Sequence, residues 1–125
     1  MAKKIVEKKD PFKTVVQNLP FHQFEERKEF IGLFKDTVTL GDEEDPDKTF
    51  QANIMVDLET GEECYIQNSY SIAKAIKQAR LEHREQITSV VFRIEFLGKT
   101  TVKGKPFNQF KIGYCLEEEY ESVNE

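Results

Sequence analysis

The apolar residues of this chain recur at every second position in five segments and at three- or four-residue spacing in one. Alternation places side chains on the two faces of a strand, whereas the wider spacing builds one face of a helix. The strand patterns cover residues 29–40, 50–58, 63–68, 88–98 and 107–116, and the helical pattern covers residues 70–85. The order of three strands, one helix and two strands therefore favours a fold built on a sheet.

This order predicts an all-β domain with one helix, and most specifically a five-stranded OB-fold, which is a Greek-key barrel. Gly32 lies within the first strand, where it would let the strand bend and pair with neighbours on both sides. Gly61 lies in a tight turn between the second and third strands, which should form an antiparallel hairpin. An SH3-like barrel and a plain α+β sandwich are the alternatives, although an SH3-like barrel lacks a full-length helix at this place.

Length and charge divide the chain into three parts. A chain of 125 residues normally makes one domain. We assign residues 1–28 to an N-terminal arm, 29–116 to the OB-fold domain and 117–125 to an acidic C-terminal tail that holds five glutamates. The pattern of the N-terminal arm is interrupted by Pro11 and Pro20, and it fits a short strand, a helical turn or a packed arm.

The sequence shows no segment typical of a membrane or secreted protein. No apolar run approaches the roughly 20 residues that a membrane-spanning helix needs. The first residues carry lysines but no apolar run of the secretory type. The two cysteines, Cys64 and Cys115, lack a metal-type spacing, which favours buried thiols in a reducing compartment. We therefore expect a cytoplasmic protein with no membrane contact.

The sequence also lacks catalytic and metal-binding patterns. His22 and His83, the only two histidines, lie in no metal-binding or nucleophile pattern. Cys64 falls on the apolar phase of its strand, as a core thiol does. The acidic stretch 41–47 lacks the central glycine and closing glutamate of a calcium loop. We expect no catalytic residue, no metal site and no cofactor.

Uncharged polar side chains should line the outward faces of the second and third strands. In the second strand, the apolar phase that includes Ala52 and Ile54 is expected to point inward. A flat polar surface with an aromatic ring suits bases that stack and form hydrogen bonds without sequence readout. The candidate nucleic-acid-binding residues on this surface are Gln51, Asn53, Tyr65 and Gln67.

The most basic stretch lies between the fourth and fifth strands. Residues 99–111 carry four lysines and no acid, in a chain of net charge −5. A flexible loop with several lysines would follow a phosphate backbone, and a phenylalanine beside it would stack on a base. Outward-facing cations of the adjoining strands would extend the basic track. The candidate residues of this stretch are Arg93, Lys99, Lys103, Lys105, Phe107 and Lys111.

Each of these features also has a purely structural interpretation. Lysines in a hairpin loop protect strand edges from aggregation. Tyr65 would then pack against the N-terminal arm, and Phe107 would close one end of the barrel. The acidic stretch 41–47 would repel a nucleic acid that passed close to it. The sequence leaves both interpretations open.

Three stretches, residues 29–34, 50–69 and 90–112, resemble the small OB-fold single-stranded-DNA-binding proteins of the bacteriophage type. The likeness lies in the pattern of strands. It also lies in the last hairpin, where a loop that begins with Gly-Lys joins two strands. It implies non-catalytic binding of single-stranded DNA, with RNA as a further ligand, during DNA replication or recombination. It also implies replication or recombination proteins as partners and, for a viral chain, the host cytoplasm. A homo-oligomer is a further candidate assembly, and the sequence leaves the oligomeric state open.

The tail is similar to the acidic tails of that family in charge, but it ends differently. Residues 117–125 finish at Glu125, where bacterial members carry an apolar residue that docks repair enzymes. Recruitment of partners through the tail is therefore not expected. The tail is expected instead to shield the basic groove of its own domain.

Two other classes of function fit the same residues. One is a protein-interaction or virion-assembly module that uses the same strand face. The other is an inhibitor whose acidic tail and loop mimic nucleic acid. Added salt separates the first of these from nucleic-acid binding, because phosphate contacts weaken steeply with salt whereas an apolar interface does not.

Overall fold

Five strands and two α-helices account for most of residues 19–41 and 44–123, the part of the chain that the computed structural model describes. The strands are β1 (Glu29–Gly41), β2 (Thr49–Asp57), β3 (Glu63–Gln67), β4 (Val90–Val102) and β5 (Lys105–Leu116), and the helices are α1 (Tyr70–His83) and α2 (Glu117–Val123). The sheet is antiparallel, with the order β3-β2-β1-β4-β5. The predicted sheet-rich class is confirmed, but within the described ranges β3 and β5 are not paired and the sheet is not closed.

Strand β1 changes its partner along its length. Its first part, Glu29–Leu33, pairs with β4, and its longer second part, Gly32–Gly41, pairs with β2. The two parts overlap at Gly32 and Leu33, so β1 pairs on both sides there, as the sequence predicted for Gly32. A side chain there would collide with the ring of Phe30 and lie 2.9 Å from the carbonyl oxygen of Val56. Glycine therefore allows three strands to meet closely in the middle of the sheet.

Helix α1 covers one face of the sheet and begins where the sequence predicted. Ser69 caps the helix, because its hydroxyl oxygen accepts a hydrogen bond from the N–H of Ile72 at 3.2 Å. The helix buries Ile72, Ile76 and Ala79 against the sheet. Beyond the helix, the main core contains Phe30, Phe34, Met55, Cys64, Ile66, Ile87, Val90, Phe92 and Ile94.

The predicted orientation of β2 is wrong. Met55 is fully buried in the main core, and Asn53 points to the same face, whereas Ile54 lies in a second cluster on the opposite face. The register explains this, since Met55 lies opposite Cys64 and Ile54 lies opposite Tyr65, and paired residues share a face. Both faces of β2 are covered, so its apolar residues do not mark a single inward side.

The second cluster is covered by the chain that precedes β1. Residues 19–28, which we call the strap, run beside the edge of β3. The N–H of Tyr65 donates to the carbonyl of Pro20 at 2.8 Å, and the N–H of His22 donates to the carbonyl of Tyr65 at 3.0 Å. Apolar side chains of the strap pack against the second cluster. This part of the N-terminal arm is therefore a packed arm, and residues 1–18 lie outside the described residues.

The chain between β4 and β5 is not the flexible loop that the sequence predicted. Strand β4 continues to Val102 and β5 begins at Lys105, so Lys103 and Gly104 form a two-residue turn. Both turn residues have positive φ, 52° and 80°, as a type I′ hairpin requires. Residues 97–109 thus form a two-stranded ribbon, which we call the hairpin arm, and most of its side chains are exposed.

Helix α2 occupies most of the predicted acidic tail, so the prediction of a single helix is wrong. A carboxylate oxygen of Glu119 accepts a hydrogen bond from the N–H of Leu116 at 2.9 Å, which joins α2 to the end of β5. The helix packs against β4 and β5 on the outer face, the side of the sheet away from α1. Among the residues described, no helix is long and apolar enough to span a membrane.

Candidate nucleic-acid interface

A groove of about 590 Å³ opens between the strap, the ends of β2 and β3, and the base of the hairpin arm. It separates β3 from β5, the two edge strands of the described sheet. Five phenylalanines line it, together with amide side chains and one lysine. We call it the aromatic groove.

Two clusters of rings form its walls. On the β2 side, the ring centroids of Phe21 and Phe50 lie 6.2 Å apart. On the arm side, the ring of Phe110 lies 5.2 Å from that of Phe24 and 5.6 Å from that of Phe96. Phe50 is 41% exposed, and the other four rings are half-buried. Rings that are held in place yet partly exposed can stack on planar ligands.

Polar side chains complete the lining. Lys99 lies opposite Asn108 in the β4–β5 register, so both side chains project to the same side of the arm. Amides donate and accept hydrogen bonds, and therefore match the edges of nucleobases. One carboxylate, that of Glu25, also borders the groove. The amides of the groove are those of Gln23, Gln67, Asn68 and Asn108.

The groove continues into a shallower hollow of about 350 Å³ at the start of α1. Tyr70, the first residue of the helix, is 73% exposed there. The first turn of α1 contains no acidic residue, so no carboxylate of that turn offsets the positive end of the helix dipole. The hollow thus adds an exposed ring and a helix N-terminus that favours anions.

Three of the ten predicted binding residues meet at this site. Lys99 and Gln67 line the groove, and Gln51 lines the hollow beside it. The side-chain oxygen of Gln51 accepts a hydrogen bond from the amide of Asn68 at 3.3 Å. This bond holds two of the amides side by side.

Asn53 and Tyr65 are buried, so their predicted outward exposure is wrong. Asn53 is 1% exposed, accepts a hydrogen bond from the hydroxyl of Thr37 at 2.8 Å, and donates one to the side chain of Asn68 at 3.1 Å. Tyr65 is 6% exposed, and its ring lies 5.0 Å from that of Phe21. The alternative that Tyr65 packs against the N-terminal arm is confirmed.

Arg93 and Lys111 lie on the outer face, away from the aromatic groove. Phe110 and Ile112 contact the main core, so alternation turns Lys111 to the other side, opposite Glu95 in the register. Arg93 lines a separate hollow of about 520 Å³ beside α2. These two cations therefore do not extend the lining of the groove.

The described part of the acidic tail also lies on the outer face. Burial raises the pKa of the Cys115 thiol, Glu119 raises it further, and Arg93 opposes the rise. Glu119 and Arg93 are thus close to the same thiol, and α2 lies beside Arg93 rather than in the groove. Shielding of the groove by the tail stays a prediction.

Lys103, Lys105 and Phe107 lie at or near the tip of the hairpin arm, and all three are exposed. Phe107 is 42% exposed, so it does not plug one end of a barrel. Its neighbour Asn108 lines the groove, and alternation therefore points Phe107 to the outer face of the arm. The structure separates these three residues from Lys99, although the sequence predicted that they would act together.

The rings of the groove are not distinguished from core residues by the sequence pattern. Phe96 and Phe110 continue the apolar phases of β4 and β5, as core residues do. The lengths of the elements carry a signal, since β4 and β5 have 13 and 12 residues whereas α1 has 14. At about 3.3 Å per strand residue and 1.5 Å per helix residue, each strand is nearly twice as long as the helix. One helix cannot cover the whole apolar face of such strands.

The thiol of Cys64 is buried, and its environment favours the neutral form at neutral pH. Burial raises the pKa of Cys64 to about 11, and Asp57 adds to the rise. The residue lies in the main core, as its strand phase predicted. Within residues 19–41 and 44–123, no group of His, Cys, Asp and Glu side chains is arranged to hold a metal ion.

A scan against protein-family models, a search of curated proteins and a search of solved structures each found no match to this chain. The function proposed below therefore rests on the geometry and chemistry of the groove.

Proposed function

We propose that this protein binds single-stranded nucleic acid in the aromatic groove and carries out no catalysis. DNA is the first ligand and RNA a further one. The observation that carries the proposal is that stacking rings, amides and a lysine share one groove, with a helix N-terminus alongside. Rings stack on bases of any sequence, while the lysine and the helix end attract phosphate. A single strand fits best because its bases are free to be splayed out and stacked on protein rings.

The finer fold that we propose is the OB-fold. Its support is that β1 pairs with both β2 and β4, that α1 lies between β3 and β4, and that the sheet is open between β3 and β5. OB-folds bind oligonucleotides mainly on strands two and three, between two loops. Here the strap covers the outer side of β3, so the proposed site lies where β2 and β3 end, beside the hairpin arm.

The biological role that we propose follows the resemblance to phage single-stranded-DNA-binding proteins. The protein would protect exposed strands during DNA replication or recombination, in the cytoplasm of the cell or of the host. Replication or recombination proteins and further copies of this chain would be its partners.

Two matched phenylalanines test the location of the site. Phe50 and Phe107 are 41% and 42% exposed, but Phe50 lines the groove and Phe107 lies on the outer face of the arm. In titrations of labelled oligo-dT followed by fluorescence anisotropy, Phe50→Ala should weaken binding by roughly 1–3 kcal/mol for each stacked base lost. Phe107→Ala should bind like the wild type. Weaker binding in Phe107→Ala and normal binding in Phe50→Ala would place the site on the outer face of the arm. Phe107 would then stack on a base, as the sequence predicted.

Two matched lysines test the phosphate contact. Lys99 lines the groove, whereas Lys111 lies on the outer face. Lys99→Ala should make the slope of log K against log salt shallower by about 0.7, the value for one phosphate contact on a single strand. Lys111→Ala should leave the slope unchanged. A double Lys103→Ala and Lys105→Ala variant shows whether the tip of the arm also contacts the strand, and equal slopes in all variants would exclude every one of these lysines.

A protein-interaction or virion-assembly module is the second candidate function, and the outer face of the hairpin arm favours it. Leu97, Val102 and Phe107 are 55%, 49% and 42% exposed. Val102 lies opposite Lys105, which shares the face of Phe107. Leu97 follows Phe96, which faces the groove, at a shift in the register, and therefore also points to the outer face. Contiguous exposed apolar side chains often mark protein contacts. Size-exclusion chromatography with light scattering should then show association that resists added salt and is lost in Phe107→Ala.

A further inference from the structure

The strap forms one wall of the aromatic groove, yet it has open space on both sides. Phe21 and Phe24 face the groove. Behind the strap lies a second cavity of about 460 Å³, which Pro20, Arg27 and Asp57 help to line. A segment that borders two cavities is packed on only part of its surface, so specific bonds help to fix its position.

One of these bonds is an ion pair between the strap and the end of β2. Nη2 of Arg27 lies 2.8 Å from Oδ2 of Asp57, whose side chain is 8% exposed. The other oxygen of Asp57 accepts a hydrogen bond from the N–H of Glu59 at 2.9 Å, so the carboxylate is fixed in place. Charged hydrogen bonds of this kind contribute more than neutral ones.

The ion pair connects to the rings of the groove through the turn that precedes it. The N–H of Arg27 donates to the carbonyl of Gln23 at 2.9 Å, and the carbonyl of Arg27 lies 2.8 Å from Nε2 of His22. The imidazole of His22 packs edge-on against Phe24, with ring centroids 4.4 Å apart. Movement of Arg27 would therefore move the turn and, with it, Phe24.

We infer that Arg27 and Asp57 are positioning residues, whose ion pair holds the strap and thereby sets the width of the aromatic groove. The inference rests on the proposed function, since it concerns the same groove. Neither residue lines the groove, so neither is expected to touch the nucleic acid. Their effect on binding would pass through the place of Phe21 and Phe24.

Four variants of the full chain test this inference. Asp57→Asn keeps the shape and the acceptor for the N–H of Glu59 but removes the charge, and Arg27→Ala removes the other partner. Arg27→Lys keeps a cation. Glu59→Gln is the matched control, because Glu59 also lies 3.2 Å from Arg27 but is 71% exposed, and exposed pairs contribute little.

Two readouts are measured for each variant. Amide hydrogen exchange at His22 and Tyr65 reports attachment of the strap, with the amides of α1 and β4 as a reference for the whole fold. Binding of labelled oligo-dT at several salt concentrations reports the groove. In Asp57→Asn and Arg27→Ala we expect exchange at the two strap amides to rise and affinity to fall, each by roughly tenfold, as the loss of one charged hydrogen bond predicts. The salt slope should stay unchanged, because no phosphate contact is lost.

Several results would overturn the inference. Faster exchange at the strap with wild-type affinity would show that the pair supports structure alone, and unchanged exchange in both variants would show that it does not hold the strap. If Arg27→Ala or Asp57→Asn lowers the protection of amides throughout α1 and β4, the whole fold is destabilised in that variant. The Arg27→Lys variant then provides the test. A lysine variant with normal protection of the strap must bind like the wild type, and weaker binding would overturn the inference. A wild-type protein without affinity for oligo-dT would instead overturn the proposed function, and the inference with it.

Discussion

The two hairpins of the sheet, β2–β3 and β4–β5, were predicted to contribute jointly to one exposed surface, but they differ in what covers them. The β2–β3 hairpin is covered by the main core on one face and by the strap on the other. The hairpin arm of β4–β5 is exposed on both faces between residues 97 and 109. The alternation of apolar and polar residues identifies the exposed face of a strand only where one face contacts the core and the other contacts water. Neither hairpin meets this condition along its full length. The groove forms where the two hairpins and the strap meet.

The largest difference in stability between the two hairpins should appear when one aromatic side chain is removed from each. Tyr65→Ala should lower the free energy of unfolding by about 3 kcal/mol or more, because its ring is buried between the strap and β2. Phe107→Ala should change it by about 0.5 kcal/mol or less, since its ring is exposed on the arm. Urea unfolding followed by circular dichroism measures both. Equal losses would mean that the two hairpins are covered alike.

A second pair of variants compares one asparagine from each hairpin. Asn53→Ala should lower the free energy of unfolding by about 1–3 kcal/mol, because Thr37 and Asn68 lose a buried partner. Asn108→Ala, on the exposed arm, should stay within about 0.5 kcal/mol of the wild type. The same urea titrations apply. If the Asn53 variant were as stable as the Asn108 variant, the hydrogen bonds of Asn53 with Thr37 and Asn68 would not contribute to stability.

The pH dependence of stability should report on the strap that covers the β2–β3 hairpin. Burial lowers the pKa of His22 below its usual 6.5; Arg27 lowers it further, while a hydrogen bond to the carbonyl of Arg27 and the charge of Asp57 oppose the change. The unfolded chain then binds a proton more readily than the folded one, so stability should fall as pH decreases below about 6.5. Unfolding free energies between pH 7.5 and 5 measure this. His22→Gln should remove part of the dependence, and an unchanged profile would exclude His22 as its source.

The smallest effect should come from the turn of the hairpin arm. Lys103 has a φ of 52°, a conformation that asparagine tolerates better than lysine. Lys103→Asn should therefore raise the free energy of unfolding by less than about 1 kcal/mol. Thermal unfolding can resolve the direction of the change. A clear loss of stability would mean that the lysine side chain makes a contact that outweighs the backbone strain.

What could be predicted from the sequence is the local part of the structure. Gly32, where β1 pairs with neighbours on both sides, and helix α1, which begins at Tyr70, were indicated by residues close to each other in the chain, and both are found. A hairpin between β4 and β5 was expected, but its two-residue turn at Lys103 and Gly104 was not, because these residues lack the Asn-Gly pair that usually marks a type I′ turn.

The candidate site was predictable only in part, for a related reason. Lys99 and Gln67 were recognised by their residue type and strand position. The rings were not, because Phe24 meets Phe96 and Phe110 only when the strap crosses the space between β3 and β5. That contact joins opposite ends of the chain, and no local pattern indicates it.

The change of partner within β1 has a consequence for the order of assembly. Gly32 pairs with Asp57, which is near it in the chain, and with Phe92, which is far. Closing a longer loop costs more entropy, so we expect β1, β2 and β3 to assemble before β4 and β5 join them. A chain halted between these steps would leave the first part of β1 and the facing edge of β4 unpaired. Aggregation during refolding should therefore begin at these two edges, and not at the tip of the arm with its lysines.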